Sequence, residues 1–347
     1  MNLRDAFRHQ SDACASLGSA FNGQLLRVIA ERIEPGTPLT ERLFNWEGDV
    51  SATGHSVPLR LAGALHGIVL DGRSPELSSV YPPSTDVSDD TLWKAVKTAL
   101  STHSERIDHW LDSPPQTNEV ARSSVLIAIG HWLTAQTGCK LAVSELGASA
   151  GLNLNWDQYA LDVGGWTFGS PNPALVLSPK WQGALPPVAE PEIVERRGVD
   201  LAPIDPTNAE ARLRLLAYIW PDQPERLARV KAALSLPPAP VDRGGAAEWI
   251  GARLKEPFND GICHMIFSTV AWQYFPSSVA AKAKAAIETA GEQASTANPI
   301  AWFGMEADEG SPGAALTLRL WPGDLTYRFG RADFHGRWVN WHVQKVK

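Results

Sequence analysis

The chain has 347 residues and a formal net charge of −7, with 44% hydrophobic and 20% charged residues. The length favours two domains over one, and the composition is that of an ordinary globular protein. A general binder of nucleic-acid backbones needs a basic face, so the negative charge argues against that function. The 3 cysteines are far apart and form no CxxC pair. We therefore expect neither a disulfide framework nor a metal site.

The opening sequence, MNLRDAFRHQSDAC, lacks the apolar core of a signal peptide. No run approaches the ~18 consecutive apolar residues of a membrane-spanning helix. We therefore expect a cytoplasmic protein that has no membrane partner. The sequence does not indicate the oligomeric state.

Residues 1–137 are predicted to be helical, because their apolar residues recur near helical spacing between polar and Gly/Pro breaks. The segment from Arg73 to Asp90, rich in Pro, Ser and Asp, is predicted to be a loop with at most one short helical turn. Gly138 is predicted to end the last helix. The predicted helices are Arg4–Leu17, Phe21–Ile33, Val57–Val69, Asp89–Leu111 and Glu119–Thr137.

Several polar residues of this helical part lie beside apolar faces and could reach a ligand. Surface or capping roles are the favoured interpretation, and an Asn-Glu pair at a helix start is explained by capping alone. These residues are His55, Arg60, His66, Asn118, Glu119 and Arg122.

From Cys139 onward strands and helices alternate, which predicts a mostly parallel sheet. The predicted strands are Leu141–Glu145, Glu192–Asp200, a short strand within 238–245, Ile262–Thr269 and Pro299–Glu306. The predicted helices are Leu152–Tyr159, 208–218, Pro224–Leu236, Ala246–Leu254 and Ser277–Gly291.

Two parts of this half depart from the alternation. Residues 160–191 have neither a long helix nor a buried strand, and Gly164-Gly165 is typical of a hairpin turn, so we interpret them as an insertion. The C-terminal part alternates polar and apolar residues around Pro322-Gly323 and His335-Gly336, which predicts an antiparallel meander.

The stretch Lys140–Asp157, KLAVSELGASAGLNLNWD, predicts a strand, a turn of small residues and a helix start. Small residues let a ligand approach the main chain, and the amides of a helix N-terminus attract negative charge. Glu145, at the strand end, can accept hydrogen bonds from a cationic or hydroxylic group. These residues by themselves leave the ligand undetermined.

The segment ELGASAG resembles the first motif of class I S-adenosylmethionine (SAM) dependent methyltransferases, acid-x-Gly-x-Gly-x-Gly, with Ser149 at the middle glycine. The segment GVD, ending at Asp200, resembles the second motif, in which an acid ends strand two. Five βα-type strands followed by an antiparallel hairpin are also typical of that class. The resemblance implies a Rossmann-like methyltransferase domain, 138–347, which contains the insertion at about 160–191 and follows the helical N-terminal domain, 1–137, predicted from its pattern.

The resemblance also implies roles for individual residues. The loop from Gly147 to Gly151 and the acid Glu145 would hold the methionine part of SAM, and Asp200 would accept its ribose hydroxyls. The strand end after Ile262–Thr269 would lie near the departing methyl group. The implied cofactor-binding residues are Glu145, Gly147, Ser149, Gly151, Asp200, Ser268 and Thr269, and the expected partner is a small-molecule substrate.

The chain as a whole also resembles an uncharacterised bacterial family, a domain of unknown function grouped beside these methyltransferases. The similar stretches are QTNEVARSSVL, ELGASAGLNLNWDQY, RRGVDLAPID, FSTVAWQYFP and FHGRWVNW. They lie in both halves of the chain, and this resemblance implies little about function.

Two features depart from the methyltransferase pattern. The separation of Gly147 and Asp200 far exceeds the roughly 20 residues between glycine turn and acid in a dinucleotide fold, and the insertion accounts for it. No acid directly follows the glycines after strand three, so adenine recognition would need backbone groups, Asp242 or Glu248.

Methyl transfer from a sulfonium needs mainly alignment, and a general base only where the nucleophile carries a proton. The candidates for that base are Tyr274, Glu306, Asp308, Asp333 and His335, and the sequence does not decide among them. The predicted substrate-contacting residues are Asn118, Glu119, Arg122, Gln273 and Tyr274.

Three functions remain open on the sequence. The first is a SAM-dependent methyltransferase acting on an unknown small molecule or protein. The second is a ligand-binding protein on a methyltransferase-like fold without catalysis, suggested by Ser149 and the missing strand-three acid. The third is a nicotinamide-dependent oxidoreductase, which the terminal hairpin and the spacing of ELGASAG disfavour.

Overall fold

The computed structural model describes residues 1–256 and 259–347. Several helices begin at a polar N-cap residue whose side chain accepts a hydrogen bond from a backbone N–H of the first turn. Ser19, Ser74 and Asn208 are examples. The described helices are α1 (Leu3–Ser16), α2 (Ala20–Arg32), α3 (Pro38–Phe44), α4 (Val57–Leu70), α5 (Pro75–Val80), α6 (Asp89–Thr102), α7 (Ser104–Leu111), α8 (Ser123–Thr137), α9 (Ala209–Ala217), α10 (Pro224–Ala233), α11 (Ala246–Arg253) and α12 (Ser277–Glu292).

The described strands form one nine-stranded sheet and one three-stranded sheet. They are β1 (Lys140–Leu146), β2 (Ala160–Val163), β3 (Trp166–Gly169), β4 (Val176–Leu177), β5 (Lys180–Gly183), β6 (Ile193–Asp200), β7 (Val241–Arg243), β8 (Ile262–Thr269), β9 (Ile300–Glu306), β10 (Ala314–Trp321), β11 (Leu325–Ala332) and β12 (Trp338–Lys345).

The large sheet has the order β5-β12-β11-β10-β9-β8-β1-β6-β7. The five strands β9, β8, β1, β6 and β7 are parallel to one another. Strands β10, β11 and β12 are antiparallel, and β5 pairs parallel with β12. The predicted α/β class, the mostly parallel sheet and the antiparallel C-terminal meander are therefore confirmed.

The chain divides into two compact units, 1–117 with 207–228, and 118–206 with 229–347. The described elements of the first unit are helices around an apolar core that includes Phe7, Leu65 and Trp110. The second unit contains both sheets. The sequence-based boundary at 137/138 assigns α8 to the helical part, whereas α8 packs against β1 and belongs to the second unit.

Several predicted elements differ from the structure. The single predicted helix Asp89–Leu111 is two helices, separated at His103, shortly after Ser101, whose hydroxyl donates to the backbone carbonyl of Thr98 at 2.9 Å. Leu152–Gln158 is a 3₁₀ segment rather than an α-helix. Helix α3, which begins with a Thr37 capping box, was not predicted.

The segment predicted as an insertion has two parts. The hairpin at Gly164-Gly165 is confirmed, since β2 and β3 pair antiparallel across it and β4 completes the small sheet. The second part, β5, joins the edge of the large sheet beside β12. This pairing links residues far apart in sequence, and for that reason local patterns do not reveal it.

Candidate functional site

The predicted site residues of strand β1 and its neighbours meet at the carboxyl end of the sheet. Glu145 lies opposite Gly198 of β6 and Phe267 of β8. Because side chains alternate along a strand, Glu145, Asp200 and Thr269 face the same side of the sheet. The structure therefore brings these three predicted residues together.

The loop after β1 is fixed by protein partners. The N–H groups of Gly147 and Ala148 both donate to Val199 O, at 2.9 and 3.0 Å. The N–H of Ser149 donates to Asp200 Oδ2 at 2.9 Å, and that of Leu152 donates to Asn118 Oδ1 at 2.9 Å. These four amides therefore hold the loop in place instead of forming an open anion site.

The two glycines of this loop are required by the fold. Gly147 and Gly151 have φ angles of 77° and 71°, a region that favours glycine. A Cβ on Gly147 would lie 2.6 Å from Ala271 Cβ, and one on Gly151 would lie 2.8 Å from Val241 Cγ2. Close packing against Ala271 and Val241 is therefore sufficient to explain both glycines, and their contact with a cofactor stays a prediction.

Asp200 anchors the loop at the end of β6. Its Oδ2 accepts the N–H of Ser149, and its Oδ1 accepts the N–H of Ala202 at 2.9 Å. The acid is half-buried. The predicted contact with ribose hydroxyls is not tested by this geometry and stays a prediction.

Glu145 is a buried carboxyl group, with only 1% of its surface exposed. Among the described residues, Oε2 has no hydrogen-bond partner. Burial raises the pKa of Glu145 well above its ordinary value, while the Arg122 cation opposes the rise and the Asp200 carboxylate adds to it. A buried acceptor without a donor is costly, so this oxygen is the strongest indication of a ligand position.

Arg122 joins two separate segments beside Glu145. Its Nη1 donates to Thr269 O at the end of β8, at 2.9 Å, and its Nε donates to Phe334 O in the β11–β12 turn, at 2.8 Å. Sequence reasoning predicted Arg122 as a substrate contact. In the structure, Arg122 also connects the start of α8 to the end of β8 and to the β11–β12 turn through these hydrogen bonds.

Asn118 and Glu119, the other predicted substrate contacts of this segment, are buried. Asn118 holds the N–H of Leu152, and Glu119 Oε1 accepts the N–H of Ala121 at 3.1 Å. Both therefore have structural partners within the protein, and contact with a substrate stays a prediction.

Ser268 and Thr269 do not face the same region. They are consecutive in β8 and therefore point to opposite faces of the sheet. Ser268 is buried and hydrogen-bonded to the Glu306 carboxyl group, away from Glu145. Of this predicted pair, the structure brings only Thr269 to the face of Glu145.

Glu306 holds the segment that follows β8. Its carboxylate accepts the N–H groups of Ala271 (3.1 Å), Trp272 (3.1 Å) and Gln273 (3.5 Å). Burial raises the pKa of Glu306, although the bonds from Ser268 and these amides oppose the rise. A carboxylate bound to three amides is a structural anchor more than a general base.

The two predicted substrate contacts beyond β8 lie at the surface. Gln273 Oε1 accepts the N–H of Ala307 at 2.9 Å. Tyr274 is 74% exposed. Tyr274 is thus open to a partner molecule, whereas its predicted role as a base is not tested by this position.

Two of the acidic base candidates are held by arginines. Burial by itself would raise the pKa of Asp333, but hydrogen bonds from Arg337 and from two backbone amides outweigh it and lower the pKa. Asp308 pairs with Arg331 at 2.8 Å. The N–H of His335 donates to Asp333 Oδ1 at 3.0 Å, so Asp333 shapes this turn.

The two acids considered for adenine recognition have other partners. Asp242 lies opposite Val199 and so faces away from Asp200, and it binds Arg197 at 2.8 Å and Trp249 Nε1 at 2.6 Å. Glu248 folds back toward Gly245 at the start of α11. Asp242 therefore does not face the side of the sheet that carries Glu145, and recognition of adenine by Glu248 stays a prediction.

Sequence reasoning missed three buried polar residues, Ser123, Asn153 and Tyr159, of the segments that flank this loop. Ser123 Oγ donates to Asn153 Oδ1 at 2.8 Å, while Asn153 Nδ2 is buried without a partner among the described residues. Tyr159 is buried near Glu145 and donates to Leu152 O at 2.7 Å. Asn153 and Tyr159 belong to ELGASAGLNLNWDQY, one of the stretches similar to the bacterial family, and this similarity could have pointed to both residues.

Within residues 1–256 and 259–347, no group of 3 or more His, Cys, Asp or Glu side chains is arranged to hold a metal ion. In the same part of the chain, no helix combines the length and the hydropathy needed to cross a membrane.

The five stretches that suggested a bacterial family converge here through Arg122, Glu145, Asp200, Thr269 and Phe334. The profile of the family described as "Uncharacterized protein conserved in bacteria (DUF2332)" matches residues 4–341. The chain belongs to this family. No curated protein and no solved structure matches the chain.

Proposed function

We propose that this DUF2332 protein is a SAM-dependent methyltransferase whose acceptor is a small molecule or a protein. The observation that carries the proposal is the buried Oε2 of Glu145 at the carboxyl end of β1, which has no hydrogen-bond partner among the described residues. An acceptor in that position fits a cationic or hydroxylic donor of a ligand.

The order of the parallel strands supports a ligand at this position. The chain runs from β1 outward to β6 and β7, and then returns to place β8 and β9 on the other side of β1. In open α/β sheets, ligands bind at the carboxyl ends of strands where the order reverses in this way. Glu145 and Thr269 flank that point.

The strands beyond β9 support the methyltransferase interpretation over a nicotinamide enzyme. Strand β10 pairs antiparallel with β9, whereas the sheet of a dinucleotide-binding fold continues with parallel strands. An antiparallel end of the sheet is one of the features in which the sequence resembles class I methyltransferases, beside the ELGASAG and GVD motifs.

The polar atoms of the loop fit part of SAM. Glu145 would accept from the methionine ammonium, and Ser149 Oγ, buried without a partner among the described residues, would bond a polar group of the ligand. When bound, SAM supplies an electrophilic methyl group. The chain would contribute binding, alignment and exclusion of water around the reacting atoms.

A ligand-binding protein without catalysis is the second candidate. Glu306 and Asp333 are bound to backbone amides and, for Asp333, to Arg337, which leaves them poorly placed to take a proton. This observation favours binding over base-assisted transfer. It does not oppose transfer to a nucleophile that carries no proton.

Calorimetry with SAM, S-adenosylhomocysteine and NAD tests the proposal. We expect the first two ligands to bind and NAD not to bind. Glu145→Gln should weaken binding of S-adenosylhomocysteine by about tenfold or more, because a neutral amide replaces an ionic acceptor. Glu309→Gln, the same change at an exposed position of the second unit, is the matched control and should bind like wild type.

Absence of SAM binding by the wild type would contradict the proposal. Equal binding by Glu145→Gln and wild type would refute the assigned site. A screen of candidate acceptors for release of S-adenosylhomocysteine then separates a methyltransferase from a binding protein.

A further inference from the structure

Val270 has a backbone conformation that its side chain opposes. Its φ angle is 55°, in the left-handed region, directly after the last residue of β8. For a β-branched residue this conformation is a genuine outlier, which persists only where the surroundings impose it.

The surroundings of Val270 do impose it. Its N–H donates to Met305 O at 2.8 Å, and the next three amides are all held by the Glu306 carboxylate. The buried side chain of Ser268 forms a further hydrogen bond with Glu306. Met305 and Glu306 of β9 therefore hold both Val270 and the three residues that follow it.

The turn at Val270 determines the direction of two groups that border the candidate site. The residue before it, Thr269, presents its carbonyl to Arg122 at 2.9 Å. The residue after it, Ala271, occupies the space that a side chain on Gly147 would need. A relaxed turn would displace one of these contacts or both.

We propose that Val270 is a positioning residue, whose strained turn presets Arg122 and the Gly147 loop for the ligand held at Glu145. This inference rests on the proposed function and adds to it a residue that contacts no ligand itself. A strained backbone at a binding site lowers the stability of the protein, and in return it holds the binding groups in place before the ligand arrives.

The test compares Val270→Gly with Val188→Gly, the same change at an exposed loop position. Glycine adopts the left-handed region freely, so Val270→Gly should be at least as stable as wild type in urea, although glycine loosens the unfolded chain. Its affinity for S-adenosylhomocysteine should nevertheless fall by about fivefold or more. Val188→Gly should lose some stability and keep its affinity.

Unchanged affinity of Val270→Gly would overturn the inference, as would an affinity loss that accompanies a comparable loss of stability. Glu306→Gln provides a second variant, which should speed hydrogen exchange at Ala271, Trp272 and Gln273 and lower affinity as well. Failure of the wild type to bind would remove the proposed function and this inference together. Wild-type binding with an unaffected Val270→Gly variant would remove only the inference.

Discussion

Glu145 is a buried acid beside one cation and one further acid. Arg122 lowers the pKa of Glu145 and Asp200 raises it, but burial is the larger effect. Tyr159 also lies close enough to interact electrostatically with it. At the scale of this residue, the protein tolerates an unfavourable buried carboxyl group, which is typical of functional sites.

The raised pKa of Glu145 predicts a dependence of stability on pH. An unfolded Glu has a pKa of about 4.3. Below that pH, Glu145 is protonated in both the folded and the unfolded protein, so folding buries no charge. As pH rises through the higher folded pKa, the wild type loses stability, whereas Glu145→Gln does not titrate. From about pH 4.5 to about pH 9, we therefore expect the unfolding free energy of the variant to rise relative to that of wild type.

Urea denaturation of both proteins across this pH range measures the effect. A difference between the two that stays constant with pH would show that Glu145 titrates normally and would contradict the raised pKa.

At the scale of elements, the loop after β1 depends on a residue far outside it. Asn118, which precedes α8, satisfies the N–H of Leu152 at the start of the 3₁₀ segment. Gly151, just before that segment, has a left-handed conformation and packs on Val241. The loop geometry is thus set by contacts with other elements.

Asn118→Ala should therefore destabilise the protein by about 1–2 kcal/mol, because a buried N–H loses its acceptor as in the loss of a helix cap. Asn172→Ala, at an exposed turn position, should change stability by much less. Urea unfolding followed by tryptophan fluorescence compares the two. Equal effects of both substitutions would mean that Asn118 does not hold the loop.

At the scale of the whole molecule, the helical unit is built from two separate parts of the chain. Residues 207–228 belong with 1–117. Within that unit, Trp110 Nε1 donates to Glu210 at 2.7 Å, and His66 Nδ1 lies 3.0 Å from Ala217 O. Buried Leu215 and Ala217 lie in the same segment.

A fragment of residues 118–347 should therefore expose apolar surface and aggregate, because 207–228 would lose the residues on which it packs. Replacing 207–228 of that fragment by a flexible Gly/Ser linker should reduce both effects. Light scattering and binding of a hydrophobic dye measure the difference. A fragment that stays monomeric with 207–228 present would contradict this division of the chain.

Much of the second unit could be predicted because its signals are local. The apolar run Ile262–Thr269 is β8 without a change of boundary, and Gly138 ends α8 in a left-handed conformation. The meeting of Glu145 and Asp200 also follows from sequence, because the carboxyl ends of neighbouring parallel strands share one edge. Alternation along β8 would likewise have separated Ser268 from Thr269.

The sequence by itself therefore determined the order of strands and helices, and the acid and the small-residue loop at the end of β1. Only the tertiary structure decided which groups surround that acid. Arg122 reaches Phe334, 212 residues away, and β5 joins the far edge of the sheet. Such contacts depend on how distant segments pack, and periodicity within one segment carries no information about them.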